Sequence, residues 1–281
     1  MRKRLIIGAG RVGRCLAELW QQNGDQVWAV RRSSVQDNSG IHWLRSDVRQ
    51  PESFSAWPTQ LDTVVYAVSA DQRSAEAYEQ AYVAGIRNVC IWLGQHVPAL
   101  QRCFFVSSTA VYPNQDGAWV DECSTAQAHS FSADALLRGE AAVLDACIPA
   151  TVVRFSGIYA GNSQFLLNQL KQNKAFGIKD QPRYSNRIRV EDAARLLDHL
   201  SQLEHPSSYY LGSDCTPADL FEVYTWMAQK SNLPPPPLLD PAEAPASTRG
   251  NKRCHNKRIL DSGFRFLFPS YREGYADLFQ T

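Results

Sequence analysis

Residues 5–17 read LIIGAGRVGRCLA, and this stretch decides the fold of the chain. It opens with three apolar residues, a run typical of a buried parallel strand. Glycines follow at the spacing Gly-x-Gly-x-x-Gly, at Gly8, Gly10 and Gly13, and apolar residues at helical spacing come after them. The stretch therefore predicts a strand, a tight glycine turn and a helix in succession.

Each glycine has a physical role in such a turn. Gly8 permits the turn out of the strand, Gly10 lets the backbone approach a pyrophosphate, and Gly13 lets the helix pack closely on the strand. Arg11 and Val12, within the same motif, are also predicted to bind the cofactor, and the N-terminal N–H groups of the helix that follows favour a phosphate. Glycine-rich turns also occur for purely structural reasons, but the strand before and the helix after favour a dinucleotide site.

A second strand is predicted over residues 26–30, and it ends at Arg31 and Arg32. An acidic residue at this point binds the ribose 2′-hydroxyl of NAD, whereas a basic residue accommodates the 2′-phosphate of NADP. The two arginines and Ser33 therefore favour NADP, with NAD as the alternative. Arginines at a strand end are also commonly only solvated, and that interpretation stays open.

Two further strands contribute to the predicted cofactor site. Asp47 follows the strand at residues 41–44, where it either touches the adenine region or caps the next turn. Ala67 and Ser69 lie near the end of the strand at residues 62–70. The carboxyl ends of such strands face the cofactor in an open parallel sheet.

Composition bounds the class of protein. The chain has 281 residues, 44% of them hydrophobic and 20% charged, with a formal net charge of +1. A core of useful size is expected, and a dedicated nucleic-acid binder is disfavoured. No apolar run approaches the length of a membrane span. The seven cysteines are dispersed without metal-ligand spacing, which favours reduced thiols in the cytoplasm and predicts no metal site.

The alternation of strands and helices predicts an α/β fold, a doubly wound parallel sheet with a smaller C-terminal lobe. We expect residues 1–157 to form the dinucleotide-binding domain, with a returning segment at about residues 186–213. Residues 158–185 and 214–281 are expected to form the substrate lobe. Within this frame, we expect a helix over residues 74–84 that ends near Gly85, and a helix that starts with Thr216 as its capping residue.

Several segments, taken in order, resemble the extended short-chain dehydrogenases/reductases, the family of NAD-dependent epimerases and dehydratases. Besides the glycine turn, they are residues 46–48 (SDV), 64–69 (VVYAVS), 105–112 (FVSSTAVY), 152–159 (VVRFSGIY), 186–192 (NRIRVED) and 256–260 (NKRIL). The resemblance implies a Rossmann fold, a dinucleotide cofactor and a small-molecule substrate. It also implies that Ser108 is the catalytic serine, which would hydrogen-bond a substrate carbonyl or hydroxyl. Otherwise its hydroxyl satisfies backbone groups at the strand end.

The family's Tyr-x-x-x-Lys pair is missing from this chain. If Glu140 is aligned with the glutamate that follows the family's lysine, the tyrosine position holds Ser132 and the lysine position holds Leu136. An aliphatic hydroxyl and a leucine cannot perform the proton transfer. His129 is a candidate substitute, although a single loop histidine is usually solvated. The helix around these residues is expected to turn Glu140 outward.

The resemblance also implies a substrate cleft at Asn186 and Arg187, with Arg189 where the family often has histidine. Arginine there would bind a phosphate or carboxylate, or else form a surface ion pair with Glu191 or Asp192.

Taken together, these features predict an NADP-binding oxidoreductase or epimerase-like enzyme acting on a nucleotide sugar or small carbonyl compound. The alternative is a catalytically silent protein that senses NADP(H) or scaffolds a partner. A homodimer is a further expectation.

Overall fold

The computed structural model describes residues 1–34, 39–245 and 250–279. The chain forms two compact units. The first comprises Met1–Val111, Thr125–Arg154 and Ala193–Tyr210, and the second comprises Tyr112–Ser124, Phe155–Asp192 and Leu211–Thr281. The domain boundaries given above from the sequence stay a prediction.

A seven-stranded parallel sheet forms the centre of the fold, as the sequence predicts. The strands before residue 160 are β1 (Lys3–Ile7), β2 (Gln26–Arg31), β3 (His42–Arg45), β4 (Thr63–Tyr66), β5 (Arg102–Ser108), β6 (Trp119–Val120), β7 (Ala150–Phe155) and β8 (Gly157–Tyr159). Those after it are β9 (Gly177–Ile178), β10 (Tyr184–Ser185), β11 (Arg187–Arg189), β12 (Tyr209–Gly212), β13 (Ala218–Asp219), β14 (Leu238–Leu239) and β15 (Arg253–Cys254). The sheet order is β12-β7-β5-β4-β1-β2-β3. The strand order reverses between β1 and β4, where doubly wound sheets bind their ligands.

The helices are α1 (Arg11–Gln22), α2 (Ala75–Tyr78), α3 (Gly85–His96), α4 (Phe131–Leu144), α5 (Phe165–Lys171), α6 (Val190–Gln202), α7 (Leu220–Lys230), α8 (Lys257–Asp261) and α9 (Tyr271–Gly274). Among the described residues, no helix combines the length and the apolar character that crossing a bilayer requires. The short strands of the second unit pair as β8 with β11, β9 with β14, β10 with β13 and β6 with β15.

The expected end of the helix near Gly85 is wrong. The helix continues from α2 through a π-helical segment at Glu79–Ala84 directly into α3. A Cβ at Gly85 would lie 2.5 Å from the hydroxyl oxygen of Tyr66 and 2.7 Å from Cγ2 of Val48. Glycine is therefore required here for close packing of the helix on β4, and it does not terminate the helix.

The expected cap of the helix after residue 216 is also misplaced. Residues 218–219 form β13, and the helix α7 starts only at Leu220. Asp219 is the N-cap, since its Oδ1 accepts the backbone N–H of Phe221 at 3.2 Å. The carboxylate satisfies one N–H at the start of the helix, as N-cap side chains do.

The prediction that Glu140 faces outward from α4 is wrong. Its side chain is buried and forms an ion pair with Arg154 on β7, with 2.6 Å between Oε2 and Nη2. The Arg154 Nε also donates to Glu140 Oε1 at 3.0 Å, and the Ser107 hydroxyl donates to the same oxygen at 2.5 Å. The three side chains tie α4 to β5 and β7 within the core of the first unit.

Candidate cofactor and active site

A cleft of about 950 Å³ lies at the carboxyl ends of the strands of the first unit. Its lining includes seven of the residues that the sequence predicts for the cofactor site: Gly8, Gly10, Arg31, Arg32, Asp47, Ala67 and Ser69. Arg11, Val12 and Gly13 are not part of this lining. The fold thus brings together residues from four separate segments of the chain.

The glycine turn has the geometry that its sequence predicts. Gly8 has a φ of +92°, and a Cβ there would lie 2.6 Å from the backbone carbon of Ala67. A Cβ at Gly13 would lie 2.7 Å from the carbonyl oxygen of Gly8. At Gly10 a Cβ meets no atom within 4 Å, so this position borders open space. Gly8 and Gly13 are fixed by packing, and Gly10 leaves the backbone accessible from the cleft.

The first turn of α1 offers unbonded N–H groups beside this opening. Gly10 is the N-cap and supplies no side-chain hydrogen bond, and the Arg14 N–H is bonded to the Gly10 carbonyl at 2.8 Å. The N–H groups of Arg11, Val12 and Gly13 precede that first bond of the helix, so they have no partner within it. Such N–H groups, together with the positive end of the helix dipole, bind phosphate.

Two more arginines, which the sequence analysis missed, line the cleft beside Arg31 and Arg32. They are Arg45 at the end of β3 and Arg49 shortly after it. Parallel pairing places Arg31 opposite Arg45 on the neighbouring strand. The signal available in the sequence was a basic residue at the end of the third strand, which matters only once β3 is known to lie beside β2.

Two aspartates hold two of these arginines. Asp71 binds Arg32 through both of its carboxylate oxygens, and the hydrogen bond from Arg32 lowers the pKa of Asp71. Asp47 binds Arg49, with 2.9 Å between Oδ1 and Nε, and the hydrogen bond from Arg49 lowers the pKa of Asp47. Both carboxylates are therefore ionised at neutral pH, and each cancels one positive charge.

Ser108 lies at the end of β5 and is half-buried. Its Oγ accepts the backbone N–H of Ala110 at 3.1 Å. This contact is the structural role that the sequence analysis considered, and it leaves the hydroxyl proton available for donation. Both interpretations of Ser108 therefore remain, and its catalytic role stays a prediction.

The start of α4 carries no titratable group at the two positions where the family has tyrosine and lysine. The Ser132 hydroxyl lies 3.0 Å from that of Ser130, and Leu136 is buried. Ser130 caps the helix by accepting the Ala133 N–H at 3.2 Å. His129 is exposed, and its Nδ1 lies 2.9 Å from the Gln127 carbonyl oxygen.

Asn186, a predicted substrate-binding residue of the second unit, forms side-chain hydrogen bonds with the backbone at β15. Its amide nitrogen donates to the Lys252 carbonyl at 2.8 Å, and its Oδ1 accepts the Cys254 N–H at 2.7 Å. Both functional groups of the side chain therefore have backbone partners. A role for Asn186 in binding substrate stays a prediction.

Arg187 belongs to a buried polar cluster of the second unit that the sequence did not reveal. Nη1 of Arg187, the hydroxyl of Tyr159 and Oδ2 of Asp214 are buried and make no hydrogen bond within the described structure. Burial raises the pKa of Asp214 to about 7, and the nearby Arg187 opposes this rise. The carboxyl of Asp214 therefore changes its protonation state near neutral pH.

Arg189 forms the ion pair with Glu191 that the sequence analysis weighed, and the carboxylate partners of this buried arginine are 38% and 49% exposed. It is buried, with 2.9 Å between its Nε and Oε2 of Glu191 and 2.6 Å between its Nη2 and Oδ2 of Asp277. Asp192 instead accepts the backbone N–H groups of Leu267 and Phe268 at 3.0 and 2.8 Å.

A smaller cavity of about 210 Å³ lies within the second unit. Its lining combines aromatic rings with two basic side chains, and it includes Phe165, Phe176, Phe221, Tyr224, Lys174 and Arg183. The Arg183 guanidinium lies 5.4 Å from the ring centroid of Phe176. Among the described residues, no cluster of histidine, cysteine and acidic side chains has the arrangement of a metal site.

The glycine turn and the cleft agree with a comparison against known families. The model of the NAD dependent epimerase/dehydratase family matches residues 5–135. Over these residues the chain is similar to this family. The matched residues include the end of β1, the glycine turn, the strands β2–β5 and the segment with Ser108, as the sequence resemblance implies.

Solved structures of epimerase and short-chain dehydrogenase proteins share the fold. One is a protein from Methylobacillus flagellatus that is described as an NAD-dependent epimerase/dehydratase. It is 29% identical, with a TM-score of 0.80 over 99% of this chain and 97% of that one. A short-chain dehydrogenase/reductase superfamily protein from Agrobacterium tumefaciens with bound NAD is 16% identical, with a TM-score of 0.81 over 98% and 95% of the two chains. MoeE5, in complex with UDP-glucuronic acid and NAD, is 19% identical, with a TM-score of 0.76 over 98% and 96%. No curated protein matches the sequence.

Proposed function

We propose that the chain is a member of the NAD-dependent epimerase/dehydratase family, that it binds NADP(H) in the cleft of the first unit, and that it acts as an oxidoreductase or epimerase-like enzyme. The observation that carries the proposal is the meeting of Gly8, Gly10, Arg31 and Asp47 around one cleft. These residues come from three strand ends. Gly8 and Gly10 suit the pyrophosphate of a dinucleotide, Arg31 suits the 2′-phosphate, and Asp47 suits the adenosine.

The residues of the cleft have separate tasks in this proposal. The N–H groups at the start of α1 hold the pyrophosphate, and the open space at Gly10 lets it approach. The arginines at the ends of β2 and β3 attract the 2′-phosphate, whereas NAD carries only a hydroxyl at this place. Asp47, Ala67 and Ser69 border the rest of the cofactor. Bound NADPH supplies the hydride for reduction of a carbonyl carbon.

Ser108 is the residue of the chain that we assign to the substrate. Its hydroxyl proton is available to polarise a carbonyl oxygen, because the contact of Oγ with the Ala110 N–H uses only an acceptor site. The positions of the family's proton-transfer pair hold Ser132 and Leu136, which do not ionise near neutral pH. Since such catalysis contributes roughly 10²–10⁴-fold, turnover of ordinary family substrates is expected to be slow.

The second unit provides features that suit a nucleotide sugar. Its smaller cavity offers aromatic faces for a base and the cationic side chains of Lys174 and Arg183 for phosphates. UDP-glucuronic acid is the ligand of MoeE5, which has the same fold. We therefore propose a nucleotide sugar as the substrate class, with a small carbonyl compound as the second choice.

A different function, a catalytically silent NADP(H) sensor or scaffold, is favoured by one observation. Leu136 is buried at the lysine position, so no side chain there reaches a ribose or lowers a neighbouring pKa. Measured turnover of a substrate would identify an enzyme, whereas its absence would favour the sensor or scaffold.

We further propose a cytoplasmic homodimer. The cytoplasmic location is supported by the seven cysteines, which all lie in the described part of the chain and remain thiols. The dimer is supported by the exposed apolar side chains of Ile91 on α3 and Phe131 on α4.

NADPH oxidation across a panel of nucleotide-sugar and small carbonyl substrates tests the enzymatic proposal. We expect slow turnover in which Ser108→Ala lowers kcat about 10-fold or more, since the variant loses the group that polarises the carbonyl. Ser132→Ala is the matched control, because it removes the same hydroxyl oxygen from another serine. The hydroxyl of Ser132 lies 3.0 Å from that of Ser130. The kcat of this variant should stay within about twofold, because the Ser132 hydroxyl has no part in the proposed polarisation of the carbonyl. Absence of turnover with every substrate supports the sensor, and fast turnover insensitive to Ser108→Ala contradicts the assignment.

A further inference from the structure

The buried polar cluster of the second unit contains a carboxyl group that is poorly compensated. Asp214 is only 1% exposed. Its Oδ1 accepts the backbone N–H of Thr216 at 3.1 Å, whereas its Oδ2 has no hydrogen-bond partner within the described residues. A buried carboxylate with so few partners is costly, because neither water nor a bonded cation replaces its hydration. The neutral acid is therefore the form that suits this place.

The charges around Asp214 do not remove this cost. Arg187 favours the carboxylate, but its Nη1 makes no hydrogen bond and its Nη2 donates to the hydroxyl of Ser185. Burial, and with it the negative charges of Asp192 and Glu273, raises the pKa of Asp214 to about 7. The titratable and charged groups that face this carboxyl are Arg187 on β11, Tyr159 on β8, Asp192 on α6, Glu273 on α9, Tyr275 after α9 and the adjacent Cys215.

Residues 271–279, here called the cover segment, pack on this cluster. The ring of Tyr275 stacks on that of Tyr159 with 4.4 Å between the ring centroids, and the guanidinium carbon of Arg187 lies 5.6 Å from the ring centroid of Tyr271. The segment consists of α9 and a 3₁₀ turn, each of four residues. Such short elements open at a lower free-energy cost than the strands of a central sheet. Opening of the cover segment is therefore the simplest way for water to reach the carboxyl.

We propose that Asp214 is the proton-binding residue of a pH-sensitive latch that holds the cover segment closed. With a proton on its carboxyl, the segment stays packed on the cluster. Loss of the proton leaves a buried negative charge, which water stabilises once the segment opens. The latch lies within the second unit and does not depend on a bound cofactor.

The direction of the pH effect follows from proton linkage. In the closed form Asp214 keeps its proton up to about pH 7. In the open form its carboxyl is hydrated, and an ordinary aspartate releases its proton near pH 4. Between these values the closed form holds a proton that the open form has lost, so raising the pH favours opening.

Hydrogen exchange of the cover segment at about pH 5 and about pH 8 tests the latch. The amides of Gly274, Tyr275 and Leu278 are bonded to backbone carbonyls. In the wild type, their protection factors, corrected for the intrinsic effect of pH on exchange, should fall about 10- to 100-fold between the two pH values. In Asp214→Asn, which has no proton to lose, the fall should be less than about threefold.

Asp240→Asn is the matched control, with the same substitution in the same unit. Asp240 is 56% exposed and lies 2.8 Å from Nζ of Lys179. Exposed carboxylates are ionised at both pH values, so this variant should follow the wild type. Equal falls in the wild type and in Asp214→Asn, or no fall in the wild type, would overturn the proposal.

A second measurement needs no variant and therefore does not depend on how well Asp214→Asn folds. The side-chain carboxyl carbon of Asp214 in the wild-type protein can be followed by ¹³C NMR over a pH titration. We expect a midpoint near pH 7. A midpoint below about pH 5, as in an ordinary aspartate, would contradict the latch.

Discussion

Replacing Gly10 with aspartate is expected to weaken NADPH binding by about 100-fold or more, while the protein stays folded. The φ of Gly10 is −77°, outside the left-handed region that favours glycine, and a Cβ there has no neighbour within 4 Å. The new carboxylate would stand in the opening that the pyrophosphate needs, and two like charges at a distance of about 4 Å repel strongly in a poorly solvated site. Calorimetry with NADPH gives the affinity, and thermal unfolding gives the stability.

A second Gly→Asp substitution serves as the control for this experiment. Gly94 on α3 is exposed, and a Cβ added there would also meet no atom within 4 Å, but this glycine does not line the cleft. Gly94→Asp should leave NADPH affinity within about twofold, as a surface change away from the site. A folded Gly10→Asp variant with wild-type affinity would show that the glycine turn does not hold the cofactor.

Replacing Glu140 with glutamine is expected to lower the free energy of unfolding by about 3–5 kcal/mol. The substitution keeps the size of the side chain but leaves the Arg154 guanidinium buried without its counter-charge. The two side chains are 2% and 6% exposed, so water cannot replace the lost interaction. Urea unfolding of both proteins measures the difference.

A second ion pair, which also involves a residue of α4 but is exposed, serves as the comparison. Glu79 binds Arg138 of α4 with 2.7 Å between Oε2 and Nη1, but these side chains are 40% and 44% exposed. Glu79→Gln should therefore cost less than about 1 kcal/mol. Equal costs of the two substitutions would mean that the buried pair contributes no more than a surface one.

The sheet could be predicted from sequence because each of its central strands is a short apolar run next to a turn signal. Errors arose where a residue's role depends on a distant partner. Glu140 was expected to face solvent because charged residues on helices usually do, and Arg154 follows it by 14 positions on a strand. Gly85 was expected to end a helix, but Val48 and Tyr66 press against it from other elements.

The candidate site was predictable to the extent that local motifs encode it. Gly8, Gly10 and Arg31 follow directly from the ends of the first two strands, and all of them line the cleft. The roles of Arg45 and Asp71 depend on which strands are neighbours, and that is a long-range property. The buried cluster of Arg187 and Asp214 gave no sequence signal, since desolvation of a carboxyl is decided by packing.

The most direct test of the central claim is calorimetric titration of the wild-type protein with NADPH and with NADH. We expect saturable binding of one NADPH per chain and an affinity for NADPH at least about 10-fold higher than for NADH, from the charged contacts to the 2′-phosphate. No saturable binding of either dinucleotide, or equal affinities for the two, would contradict the account.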